Sequence, residues 1–262
     1  MGHREFKDQL YGQFARLGKA LASPQRLELL DLLAQGERTV EDLAREAALS
    51  VANASQHLHI LRDARLVDAR KAGLYVYYRL ADPAVFGLWQ ALRDVGERQL
   101  AEIDRLVETY MRHPEDLEPL SRDDLARRLV AGDSILLDVR PALEYQQGHI
   151  AGARSIPVDQ LDLRLLDLNP AQEVVAYCRG PYCVFADEAV ALLRARGFTA
   201  RRYAEGYPDW AAAGLPIECE LVEGAETASP SMRTTRRRRS AGRGHLSPRS
   251  QRHVRQPTPT DH

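Results

Sequence analysis

The sequence predicts two domains, a mainly helical one and then an α/β domain with a small parallel sheet, followed by a disordered basic tail. Three observations lead there. Apolar residues recur at helical steps of three and four near the N-terminus, short apolar runs alternate with helical segments between residues 121 and 204, and the composition changes after residue 226. From Thr227 onward nine Arg stand against one acid, Asp261, leaving 27 basic and 36 acidic residues before it. That tail is rich in Arg, Ser, Pro, Thr and Gly and has almost nothing to bury, so disorder is expected, and two readings stay open for it: an arm that adds nonspecific attraction to phosphates, or a dispensable extension. The 262 residues, 44% hydrophobic, suit two domains of about 100 residues. The boundaries read as 1–111, a linker at 112–118, a second domain at 119–218 and a tail at 219–262. No run approaches the ~18 apolar residues of a membrane span, and MGHREFKDQL carries charges where a signal peptide needs an apolar core. A soluble, cytoplasmic protein with no membrane partner is expected, its thiols kept reduced. The odd count of three cysteines agrees.

Phe6, Leu10, Phe14, Leu17 and Leu21 form one face of a first helix. Ser23-Pro24 offers an N-cap and a proline at the first position of a second, which ends at Gly36. Thr39 opens a short third helix, Ala47–Ser50 breaks it, and Ser50 caps a fourth over Val51–Ala64. Two short helices joined by a tight turn make a helix-turn-helix. Leu66–Leu80, LVDARKAGLYVYYRL, reads as strand, Ala-Gly turn, strand, which adds a wing. Residues 84–111 then read as one helix about 40 Å long, apolar at Trp89, Leu92, Leu100, Ile103, Val107 and Tyr110, long enough to pack against a second subunit.

With LAREAALSVANASQHLHILRDARLV at Leu43–Val67 and the wing RKAGLYVYYRL, residues 8–110 resemble the ArsR/SmtB family of dimeric bacterial repressors. Ser55, His57, Leu58 and Leu61 carry the recognition-helix pattern. The resemblance implies double-stranded operator DNA as partner and a homodimer formed through the first and last helices of the domain. It places Ala52, Asn53, Ser55, Gln56 and His59 toward the major groove and Lys71 near phosphate. Asn and Gln can pair with adenine edges, and a helix N-terminus offers amides to phosphate. His57 reads as a packed helix residue. The domain has no cysteine, and its last helix offers only scattered acids and His113, so no metal and no cofactor is expected.

In the second half, Ser121 caps a short helix, Ser134–Val139 is a buried strand, Glu173–Cys178 a second, Asp187–Arg196 a helix closed by Gly197, and Ala200–Ala204 a third strand. The landmarks DVR at Asp138–Arg140, EYQQGHIAGA at Glu144–Ala153, IP at Ile156-Pro157, VVAYC ending at Cys178 and GYPDW at Gly206–Trp210 resemble the rhodanese fold across residues 119–218. The resemblance makes Cys178 the persulfide carrier. Glycine, histidine and aromatic landmarks read as turns and packing, and Asp138 with Arg140 as a structural charge pair. A cysteine at the carboxyl end of a parallel strand, before a helix N-terminus, also sits where loop amides and the helix dipole favour a thiolate.

The loop AYCRGPYCVF departs from the rhodanese pattern Cys-x-x-Gly-x-Arg, with Pro181 at the glycine position and Cys183 at the arginine position. Loss of that arginine counts against thiosulfate. Arg179 is a candidate loop charge and Cys183 a candidate resolving thiol; the two thiols could form a disulfide, a polysulfide bridge or a pair for trivalent arsenic. Neither a structural staple nor a zinc half-site is expected, and Cys219 reads as incidental. Three readings follow: a repressor that senses or processes reactive sulfur, or arsenic, at Cys178 and Cys183; a thiosulfate or persulfide sulfurtransferase that the winged helix merely dimerises or localises; and a passive binding module in which Cys178 is inert.

Overall fold

The computed structural model describes residues 2–111 and 119–220; the expected linker, His113 and the tail from residue 221 lie outside them. Helices α1 (His3–Leu21), α2 (Pro24–Ala34), α3 (Val40–Glu46) and α4 (Val51–Asp63) come first, with strand β1 (Arg38–Thr39) before α3. Capping sets the boundaries. The Thr39 hydroxyl accepts from the Asp42 amide at 3.1 Å and the Ser50 hydroxyl from the Asn53 amide at 3.2 Å. Ala48, between α3 and α4, sits at φ 51°, which turns the chain sharply enough to cross the two helices. Ser23 precedes Pro24 as expected but makes no side-chain cap, its hydroxyl donating to Gln25 instead.

The wing is β2 (Val67–Ala72) paired antiparallel with β3 (Tyr75–Leu80), and β1 joins the other edge of β3. The turn falls on Gly73-Leu74, one residue after the expected Ala-Gly, because a two-residue hairpin needs positive φ at its first position and Gly73 supplies 62°. Leu29, Leu30, Leu43, Leu58, Leu61 and Val67 form the core beneath.

The expected 28-residue final helix is two helices, α5 (Pro83–Gln99) and α6 (Ala101–Tyr110), separated by Leu100 in extended conformation. Gly96 lies close to the second helix: a Cβ there would stand 3.1 Å from Ile103 Cδ1, so a larger residue would crowd that side chain. The apolar periodicity runs through both pieces and conceals the break.

The second half contains α7 (Arg122–Ala131), β4 (Ser134–Asp138), α8 (Ala142–Gln147), β5 (His149–Ile150), β6 (Arg154–Ser155), a stretch of 3-10 turns at Val158–Asp167, β7 (Glu173–Cys178), α9 (Val184–Ala195), β8 (Ala200–Gly206), α10 (Tyr207–Ala212) and β9 (Ile217–Glu218). A parallel sheet runs in the order β6-β4-β7-β8, while β5 and β9 form a separate antiparallel pair. Side chains alternate across the sheet. Ile135, Leu137, Val174, Ala176 and Cys178 pack on one face with α9, and Leu136, Val175 and Tyr177 on the other with Leu125 and Trp210. Helix α9 starts three residues before the expected Asp187, immediately after Cys183.

Arg140 and Asp138 are fully buried, as the expected charge pair. Arg140 donates to Asp138 at 2.6 and 3.0 Å and to the Gly148 carbonyl at 2.8 Å, and the Tyr177 hydroxyl donates to Asp138 at 2.6 Å. Its remaining nitrogen reaches Gln35 Oε1, from the helical half, at 3.1 Å. A buried ion pair survives only when each partner is satisfied, and removing one leaves an uncompensated charge. Arg140→Met is therefore expected to cost about 3–5 kcal/mol in urea denaturation, with Arg140→Met/Asp138→Leu recovering part of that loss.

Candidate functional site

Cys178 is the last residue of β7, the strand held between β4 and β8, and it is almost wholly buried. The chain then bends at Gly180-Pro181, where the Cys183 amide donates to the Gly180 carbonyl at 3.2 Å, and Cys183 becomes the N-cap of α9. The bend returns position 183 to the strand end. The two Cα atoms stand 6.2 Å apart and the sulfurs are bonded. Of the pairings the sequence leaves open, the disulfide is the one the structure holds, in place of the reduced thiols expected of a cytoplasmic chain: strand end and helix start face each other across a four-residue loop, at a Cα separation within the disulfide range. Cys219 is an exposed free thiol.

Arg179 does not act as a free loop cation. It donates to Glu144 at 2.6 and 2.9 Å and to Glu46, the last residue of α3, at 2.7 Å. Burial works against its charge, but the two carboxylates outweigh it and raise its pKa above the ordinary value. Its carbonyl accepts from Gln35 at 3.0 Å. Glu144, also buried, accepts from Arg38 at 2.5 Å as well. Tyr182 donates to Glu97 of α5 at 2.5 Å, and burial followed by that contact pushes its phenol pKa up. From the sheet side, Arg202 donates to the Pro181 carbonyl at 2.9 Å and pairs with Asp187.

Among the residues expected at DNA, Ala52, Asn53, Gln56 and His59 are exposed on α4, Ser55 is half-buried, and Lys71 is exposed on β2. His59 Nδ1 lies 2.9 Å from the Arg62 guanidinium. The Asn53 amide is taken by Ser50, so this one is not available to phosphate. His57 is half-buried, and its Nδ1 is enclosed without a hydrogen bond among the described residues, in keeping with a packed position. Arg70, beside Lys71, is spoken for by Glu37 and the Tyr77 ring. Sequence reasoning missed Gln35, Arg38, Glu46 and Glu144. One hint existed: Glu46 puts an acid at a helix C-terminus, where the dipole disfavours it and a cation from elsewhere is wanted.

Comparison with known proteins agrees with both halves. The profile described as bacterial regulatory protein, arsR family, matches residues 23–69, and that of the rhodanese-like domain matches residues 121–213. An HTH-type transcriptional regulator of Mycobacterium tuberculosis is 42% identical over 217 residues, 83% of this chain and 95% of that protein. The chain belongs to the arsR family. It is an ArsR-family transcriptional regulator with a rhodanese-like domain. A transcriptional repressor SmtB homolog of Synechocystis is 44% identical over 82 residues, 31% of this chain and 62% of that protein. The solution structure of a homodimeric winged helix-turn-helix DNA-binding domain from Mycobacterium bovis, a possible ArsR-family regulator, is 42% identical, covers 38% of this chain and 93% of that one, and has a TM-score of 0.36. Among the described residues of this ArsR-family chain, no helix is long and apolar enough to cross a membrane.

Gly206, at the end of β8, lets the cysteine loop cross close by. A Cβ there would stand 2.2 Å from the Arg179 carbonyl oxygen and 2.5 Å from the Gly180 nitrogen. Gly206→Ala is expected to lower stability by about 1–3 kcal/mol in chemical denaturation, the range for forcing extra atoms into a packed site.

Proposed function

We propose that this chain is a homodimeric operator-binding repressor whose rhodanese-like domain senses reactive sulfur through Cys178 with Cys183. The observation that carries the reading is the meeting of the two sulfurs at the end of β7. The Cys178 thiolate attacks the outer sulfur of a persulfide, RSSH; the S–S bond breaks, the RS⁻ group leaves with the electron pair, and Cys178–S–SH forms. The Cys183 thiolate then attacks the inner sulfur, HS⁻ leaves, and the Cys178–Cys183 disulfide closes. The sulfane sulfur is reduced to hydrosulfide while two thiols are oxidised. With Arg179 engaged by Glu144 and Glu46, the loop keeps no free cation for an oxyanion, which favours persulfides and polysulfides over thiosulfate as donors.

Operator contact falls to Ala52, Asn53, Ser55, Gln56 and His59 of α4, with Lys71 at phosphate. Exposed Phe6, Tyr11 and Phe14 on α1 and Leu92 and Val95 on α5 form apolar surface of the kind a second copy would cover.

Fluorescence anisotropy with labelled operator tests the reading, using the full chain reduced, treated with inorganic polysulfide, or treated with arsenite, beside Cys178→Ser and Cys183→Ser. Operator affinity is expected to fall at least tenfold after polysulfide, and both variants to stay at the reduced level. Equal affinity in every state would leave a DNA-binding protein without a sulfur sensor; a loss caused by arsenite alone would make the pair a metalloid site. In the same assay Lys71→Ala should weaken binding to all sequences and lower the slope of log affinity against log salt by about one.

A further inference from the structure

The loop closed by the two cysteines is also the part of the rhodanese-like domain that grips the DNA-binding half. Of its four residues, Arg179 binds Glu46 of α3 through its side chain and Gln35 of α2–β1 through its carbonyl, and Tyr182 binds Glu97 of α5. The grip extends along α5, where Gln90 and Arg93 donate to Asp209 at 2.9 and 2.5 Å. Positions 90, 93 and 97 follow one another at helical steps, so they make a docking stripe. Leu88, Leu92 and Val95 are exposed on a different stripe. Docking therefore leaves the apolar stripe of α5 and the exposed side of α4 open.

Resting on the sulfur-sensing reading above, we propose that docking of this loop on α3 and α5 and sulfur chemistry at Cys178 exclude each other, so that the loop couples the thiol state to operator affinity. Three observations support this. Cys178 is almost wholly buried, packed on the α9 face of the sheet and covered by the bonded Cys183 loop, so a donor reaches its sulfur only when that loop moves. Ring closure between residues 178 and 183 restricts the loop and lowers the entropy lost when Arg179 and Tyr182 are held. The charges respond together: if Arg179 withdraws, Glu46 loses the cation at the end of α3, and buried Glu144 keeps Arg38 alone. Closing the disulfide thus favours the docked arrangement, which lowers operator affinity by holding α3 and α5 rather than by covering α4, and opening it frees α3, the helix that precedes α4. Coupling of this kind is reciprocal: a tenfold effect of the disulfide on operator affinity requires operator to move the midpoint potential of the pair by about 30 mV.

The test uses the full-length chain and Glu46→Gln/Tyr182→Phe, which leaves both cysteines and the exposed face of α4 unchanged. Operator affinity is measured in reduced and polysulfide-oxidised states, with the midpoint potential with and without operator and the rate of Cys178 alkylation in reduced protein. The parent is expected to show an affinity ratio of about ten and the matching potential shift. In the variant the ratio should approach one, the shift should vanish, and Cys178 should be alkylated several-fold faster, while operator binding and disulfide formation confirm that both halves are folded. A variant that keeps the parent's ratio and alkylation rate would overturn the loop as coupling element while leaving the sensor standing. A parent ratio of one would instead remove the sensor itself and this coupling with it.

Discussion

A buried carboxylate shared by two arginines joins the two halves of this chain. Glu144 lies in α8 of the rhodanese-like domain, yet its partners are Arg38 from the helical half and Arg179 from the cysteine loop. An ionised carboxylate is tolerated inside a protein only while its charge is compensated and its lone pairs are filled. The requirement fixes more than one side chain. Arg38 must stay in β1, which edges the wing; Arg179 must stay one residue past Cys178; and Gln35, held between the Arg179 carbonyl and the buried Arg140, cannot leave without exposing both. The arrangement gives the wing, the sheet and the sulfur pair a common electrostatic centre.

The same contacts tie the cysteine loop to the half that carries α4. Helix α4 and Lys71 keep exposed side chains, whereas Cys178 of the sulfur pair is buried beside the interface, and α3, which precedes α4 in sequence, touches both α4 and Arg179 of the cysteine loop. In a packed structure such contacts have few alternative arrangements, because interiors are dense and charges cannot be left alone. On the coupling proposed above, a covalent event at one loop would be felt as the loss or gain of a whole set of partners.

Much of this was legible in the sequence. The caps at Thr39, Ser50 and Ser121, the alternation of β4 and β7, and the position of Cys178 at a strand end all follow from local pattern, and local pattern survives in the fold. The break at Leu100 was not legible, because the apolar period continues across it. The sulfur–sulfur bond was open in the sequence because spacing alone does not say which way a Gly-Pro bend turns. Least visible were the partners of Arg179. Glu46 lies 133 positions away, and no period or motif joins residues that meet only after two domains have folded.

Helix α5 carries two stripes, a docking stripe against the rhodanese-like domain and an apolar one turned outward. With two copies joined on the outward stripes, the pair of helices would become a shared axle with one sulfur loop geared to each end. A single operator would then register the sum of two thiol states, and a dimer with one pair closed would be a state in its own right. Two cysteines per chain would in that way yield a graded response from a molecule whose separate loops know only open and closed.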